Sequence, residues 1–110
     1  MNQIVVKQIQ PSGILDSTKA SQFREEVNTL VQSGADLILI DLKEVTFIDS
    51  SGLGALVAAL KTVRSAGGKL FICSINEQVR MLFELTSMDR VFDVYNSREE
   101  FEQNLAAAKE

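Results

Sequence analysis

Two adjacent serines preceded by an aspartate are the residues whose types and spacing most readily suggest chemistry. Asp49, Ser50, Ser51 and Gly52 follow an apolar, strand-like run and precede an apolar run with helical spacing. Asp and Ser cap the first turn of a helix by accepting hydrogen bonds from its unpaired backbone N–H groups. The same N–H groups and the helix dipole favour a bound phosphate. A serine at this junction can therefore be a cap, a phosphoacceptor, or both.

The sequence contains no complete catalytic or cofactor-binding motif at this junction. The 110 residues contain no histidine, which excludes a Ser-His-Asp or Cys-His nucleophile and any His-ligated metal. A nucleophile elbow requires Gly-x-Ser-x-Gly, and Asp49 stands where its first glycine should be. Gly52 and Gly54 begin a dinucleotide fingerprint, but Val57 replaces its third glycine. We predict that the chain has no catalytic residue and no cofactor.

Two aspartates offer a second interpretation of the same region. Asp41, at the end of a predicted strand, could join Asp49 in a magnesium or phosphoaspartate site like that of receiver domains. Receiver domains also need an acidic pair after the first strand, and residues 5–9 supply none. We therefore predict no metal site. Asp41 is expected to bond loop N–H groups, and Asp49 to cap the following helix.

Charge and cysteine content narrow the function classes further. Eleven basic against fifteen acidic residues give a net charge of −4, which argues against binding to nucleic acid. The single cysteine, Cys73, lies in an apolar strand-like run, so we predict a buried, inert thiol and a reducing compartment. The sequence has neither a signal-peptide layout nor an apolar run of about 18 residues. We expect a cytoplasmic protein with no membrane partner.

Apolar periodicity predicts one α/β domain over residues 1–110. Helix-capping residues and glycines separate alternating strands and helices, which indicates a mixed, mostly parallel sheet of four to five strands packed with about four helices. Pro11 follows the first strand, so we place that strand at an edge of the sheet. Strands are predicted at 3–9, 37–42, 69–73 and 91–95, and helices after Asp16, from Ser50 to Ala66, from Asn76 to about Thr86, and after Ser97.

The helix after Ser50 has an unusual predicted outer face. At about 100° per residue its large apolar side chains fall on one side, and small uncharged residues fall on the other. A solvated helix of an acidic protein would normally carry Glu and Lys there. We interpret this face as a surface on which a partner docks, although the chain's own elements, such as the helix after Asn76, could cover it instead. Its members are Gly54, Ala55, Ala58 and Thr62, with Ser65 near the end.

The segment 40–54, which reads IDLKEVTFIDSSGLG, closely resembles the STAS domain of bacterial anti-sigma-factor antagonists. Segments 13–16, 67–70 and 91–95 agree with that family in order and spacing. The resemblance therefore spans essentially the whole chain. Asp16, in the first of these segments, joins the predicted partner-binding residues.

The resemblance implies a switch without enzymatic activity. In such proteins the unphosphorylated domain binds an anti-sigma factor, which is often itself a serine protein kinase. Phosphorylation of the serine after the aspartate blocks binding, and a phosphoserine phosphatase restores it. By motif position the phosphorylated residue is Ser50, flanked by Asp49, Ser51 and Gly52. The alternative is a STAS-type ligand or nucleotide sensor that uses the same junction without phosphorylation.

Overall fold

The structure is a computed structural model that describes residues 4–109, with side chains in the last helix described to residue 106. Six strands and four α-helices follow one another in this part of the chain. In chain order the elements are β1 (Val6–Ile9), β2 (Gly13–Leu15), α1 (Ser17–Gln32), β3 (Leu37–Asp41), β4 (Val45–Ile48), α2 (Ser50–Ser65), β5 (Lys69–Cys73), α3 (Glu77–Leu85), a 3₁₀ turn (Met88–Arg90), β6 (Asp93–Tyr95) and α4 (Arg98–Lys109).

The strands form two separate parallel arrangements. A four-stranded sheet has the order β1-β3-β5-β6, so β1 lies at an edge, as the proline that follows it predicts. The strands β2 and β4 pair in parallel as a two-stranded ribbon. The predicted α/β fold with a mostly parallel sheet is confirmed. The ribbon is not predicted from the sequence, because strands of three and four residues are too short to show a clear alternation.

Alternation along the central strand β3 divides the core into two parts. Ile38 and Ile40 belong to the large cluster that α1, α2 and α3 help to form. Leu37 and Leu39 face the other way and pack with Phe101 of α4. Cys73 is fully buried in this second cluster, as predicted, and burial raises the pKa of its thiol. Both faces of the sheet are thus covered, which explains why β3 is apolar from Leu37 to Ile40.

Local capping chemistry sets the helix starts. The side chains of Asp16, Asp49 and Asn76 accept hydrogen bonds from the first turns of α1, α2 and α3. Ser97 does the same for α4, with 3.0 Å between its Oγ and the Glu100 nitrogen. These helix starts agree with those predicted from the sequence. None of the helices in the described residues is long and apolar enough to cross a membrane.

Candidate functional site

The ribbon places two helix N-termini side by side. Leu15 of β2 and Ile48 of β4 are in register. Each is followed by a capping aspartate, Asp16 or Asp49, and then by a helix. The helices α1 and α2 pack against each other. Two strand–Asp–helix units thus lie in parallel, and Ser50 is the first helical residue of the second unit.

The two serines of the motif are exposed, whereas its carboxylate accepts a hydrogen bond from its own helix. Ser50 and Ser51 are both exposed. Asp49 Oδ1 lies 2.8 Å from the Gly52 nitrogen, which donates to it. The predicted cap is therefore confirmed. Asp49 is thus held by the backbone of its own helix, and Ser50 beside it is exposed.

Asp41 is held by its own loop, as predicted. Its buried carboxylate accepts hydrogen bonds from the Lys43 backbone N–H at 3.0 Å and from Gln10 Nε2 at 3.4 Å. Within the described residues no group of three or more His, Cys, Asp or Glu side chains is arranged to hold a metal ion. The two aspartates therefore have separate structural tasks, one in a loop and one at a helix start.

Gly52 has a packing role that the motif alone does not show. The residue is buried, and a Cβ placed on it would overlap the backbone carbonyl of Leu15. The first turn of α2 thus rests directly on the end of β2. The glycine sets how closely the helix that carries Ser50 approaches the ribbon.

The outer face of α2 differs from its predicted composition at Ala55. Gly54 is exposed, and Ala58 and Thr62 are half-buried. Ala55 is fully buried, and its assignment to a docking surface is wrong. The reason is that α2 packs against α1 as well as the sheet, which widens the buried arc of the helix. The helix after Asn76, which was considered as a cover, packs against β4.

An exposed apolar pair beside the site was missed by the sequence analysis. Ile14 and Phe47 are register partners on the ribbon and are 50% and 45% exposed. Side chains alternate along a strand, so this pair lies on the same side of the ribbon as Asp16 and Asp49. An Ile and a Phe in short strands are expected to be buried, and the sequence pattern gives no signal to the contrary.

Two amide side chains at the start of α3 make contacts with β4 that the sequence analysis also missed. Gln78 Oε1 accepts a hydrogen bond from the Ile48 backbone N–H, and Gln78 Nε2 donates to the Ile48 carbonyl, each at 2.9 Å. Asn76 Nδ2 donates to the carbonyls of Val45 and Thr46 at 3.3 and 3.1 Å. The open edge of β4 is thus paired by side chains, a long-range arrangement that local patterns do not reveal.

Comparisons with known proteins agree with this architecture. A protein of Bacillus subtilis (strain 168) named anti-sigma-B factor antagonist is 36% identical over 87 residues, which cover 79% of each chain. The crystal structure of a Thermotoga maritima protein, described as a candidate anti-sigma factor antagonist, matches with a TM-score of 0.83 and 31% identity over 93% of this chain and 90% of that one.

A solved structure of the Bacillus cell fate determinant SpoIIAA in its phosphorylated form matches with a TM-score of 0.70 over 94% of both chains. Its 19% identity makes this a likeness of fold alone. A family model described as the STAS domain matches residues 3–101. The chain belongs to the STAS domain family.

Proposed function

We propose that this chain is a cytoplasmic anti-sigma-factor antagonist whose binding is switched by phosphorylation of Ser50. The observation that carries the proposal is the exposed Ser50 at the start of α2, beside an aspartate already engaged as a cap. A relative with 36% identity bears the name of such an antagonist. A separate serine protein kinase transfers the phosphoryl group to Ser50 in this proposal.

The unphosphorylated chain binds an anti-sigma factor that is also a serine protein kinase. The partner contacts Ser50, Ser51 and the exposed part of α2. Gly54, Ala58 and Thr62 carry no charge and little bulk, which lets a partner's backbone approach closely. Asp16 lies next to this region on the ribbon and completes the contact surface.

Phosphorylation acts locally on this surface. A phosphate adds about −1.5 to −2 charges and considerable bulk at Ser50. The helix N-terminus tolerates that charge, so the domain itself needs little rearrangement. A docked partner must accommodate it next to Asp49. A loss of roughly 3 kcal/mol of binding free energy would weaken affinity about a hundredfold, enough to change partners. A phosphoserine phosphatase would restore binding.

Site-specific phosphorylation tests the proposal. The purified chain is incubated with ATP and an extract of its native cells, and phosphate is mapped by mass spectrometry. We expect phosphate on Ser50 in the wild type and in Ser51→Ala, and none in Ser50→Ala. Ser50→Ala should still bind the anti-sigma factor, and Ser50→Asp should weaken binding only in part. Phosphate on Ser51 alone would refute the assignment, and no phosphate at all would favour a ligand or nucleotide sensor.

A further inference from the structure

We infer that Gln78 is a positioning residue for phosphoryl transfer to Ser50, an inference that rests on the function proposed above. The side chain comes from α3, thirty residues along the chain from the strand it contacts. It bonds both backbone groups of Ile48, the residue two before Ser50. No sequence motif of the site includes it.

The Gln78 carboxamide takes the place of a neighbouring strand. In the described part of the chain β4 pairs with β2 alone, so its other edge lacks a strand partner. Backbone N–H and C=O groups left unpaired in a partly buried position are costly. The Gln78 side chain satisfies both groups of Ile48, with two hydrogen bonds of 2.9 Å. The side-chain amide thereby makes the same two hydrogen bonds that the backbone of a neighbouring strand would make.

The opposite edge of β4 meets the ribbon partner β2. The backbone N–H of Asp49 donates to the carbonyl of Leu15 over 3.4 Å, a long hydrogen bond. The two bonds of 2.9 Å from Gln78 restrain the last residue of β4 from the α3 side. The Gln78 side chain therefore adds a second restraint, besides the ribbon, on the direction in which the chain enters α2.

The direction of entry matters because phosphoryl transfer depends on alignment. The attacking hydroxyl must lie roughly in line with the leaving group. A misplacement of about 1 Å can cost about a hundredfold in rate. A kinase that docks on the surface of α2 meets the Ser50 hydroxyl where the β4–α2 junction holds it. Removing the hydrogen bonds that hold Ile48 should therefore slow phosphoryl transfer to Ser50 more than it weakens docking of the kinase.

Initial rates of Ser50 phosphorylation test the inference. ATP and native-cell extract serve as the kinase source, and the concentration of the purified chain is varied. Gln78→Leu removes both hydrogen bonds to Ile48. Gln78→Glu keeps the acceptor and loses the donor. Gln103→Leu makes the first substitution on an exposed position of α4 and is the matched control.

We expect Gln78→Leu to lower the maximal rate roughly tenfold with the apparent KM within about twofold, and Gln78→Glu to fall between it and the wild type. The Gln103→Leu chain should behave like the wild type. If Gln78→Leu is unfolded at the assay temperature, the Gln78→Glu rates decide. Unchanged maximal rates, or a raised KM with an unchanged maximal rate, would overturn the inference and leave the proposed function standing. Absence of phosphate on wild-type Ser50 would overturn both.

Discussion

The backbone carbonyl of Leu15 occupies the space where a side chain on Gly52 would begin. This contact joins the end of β2 to the first turn of α2, the turn that carries the proposed phosphorylation site. The φ angle of Gly52 is not in the left-handed region. Close packing against Leu15, and not backbone conformation, is therefore what requires glycine at this position. The segment before α1 thus limits how closely the first turn of α2 approaches the ribbon.

A methyl group at position 52 should separate these two elements. We expect Gly52→Ala to lower the free energy of unfolding by about 1–3 kcal/mol, as overpacked cores do. Gly54→Ala is the matched control, because its Cβ would meet nothing within 4 Å. That change should raise stability by about 0.5–1 kcal/mol, since alanine favours a helix interior more than glycine does. Urea unfolding measures both, and equal stability of the two variants would contradict the packing role.

The cap at the start of α2 can be tested separately. Asp49→Ala removes the acceptor that Gly52 N–H uses, and we expect a loss of about 1 kcal/mol in urea unfolding. Asp49→Asn keeps a side-chain oxygen at the same position and should recover most of that loss. A stable Asp49→Ala variant would show that the cap contributes nothing.

The cap of α1 should make stability depend on acidic pH. Hydrogen bonding from the Thr18 side chain lowers the pKa of Asp16 below its ordinary value. The pKa of Asp16 is lower in the folded chain than in the unfolded one. Its contribution to the free energy of unfolding is therefore present above the unfolded pKa and is lost as pH falls through the folded pKa. NMR titration should show the pKa of Asp16 rising toward its ordinary value in Thr18→Val. An unchanged titration curve would exclude the Thr18 hydroxyl as the cause.

Two alanines on α2 should respond differently to a charge. Ala58→Glu should change the free energy of unfolding by less than about 1 kcal/mol, because the position is half open to solvent. The variant should nevertheless lose binding to the anti-sigma factor. Ala55→Glu would bury an unpaired carboxylate, and we expect a loss of about 3 kcal/mol or more. Thermal unfolding and titration calorimetry distinguish the two effects. An Ala58→Glu chain that unfolds would favour the covered-face interpretation.

Short-range features of this chain were predictable from the sequence. Asp16, Asp49 and Ser97 cap the helices where their residue types predict, since a cap depends on the few residues that follow it. The central strand was predictable because a run of large apolar residues in an α/β pattern indicates burial on both faces. The exposure of Ser50 followed from its place at a helix start.

The amino-acid sequence by itself determined the order of the main elements, the starts of the helices and the motif at Ser50, because local propensity and periodicity act over a few residues. Only the tertiary structure decided that Ala55 is buried, that Leu15 requires glycine at position 52, and that Gln78 bonds the free edge of β4. The contacts of Gln78 with Ile48 and of Leu15 with Gly52 join residues that are 30 or more positions apart in the sequence. They depend on how helices pack onto strands, and a single sequence does not encode that packing in any local pattern.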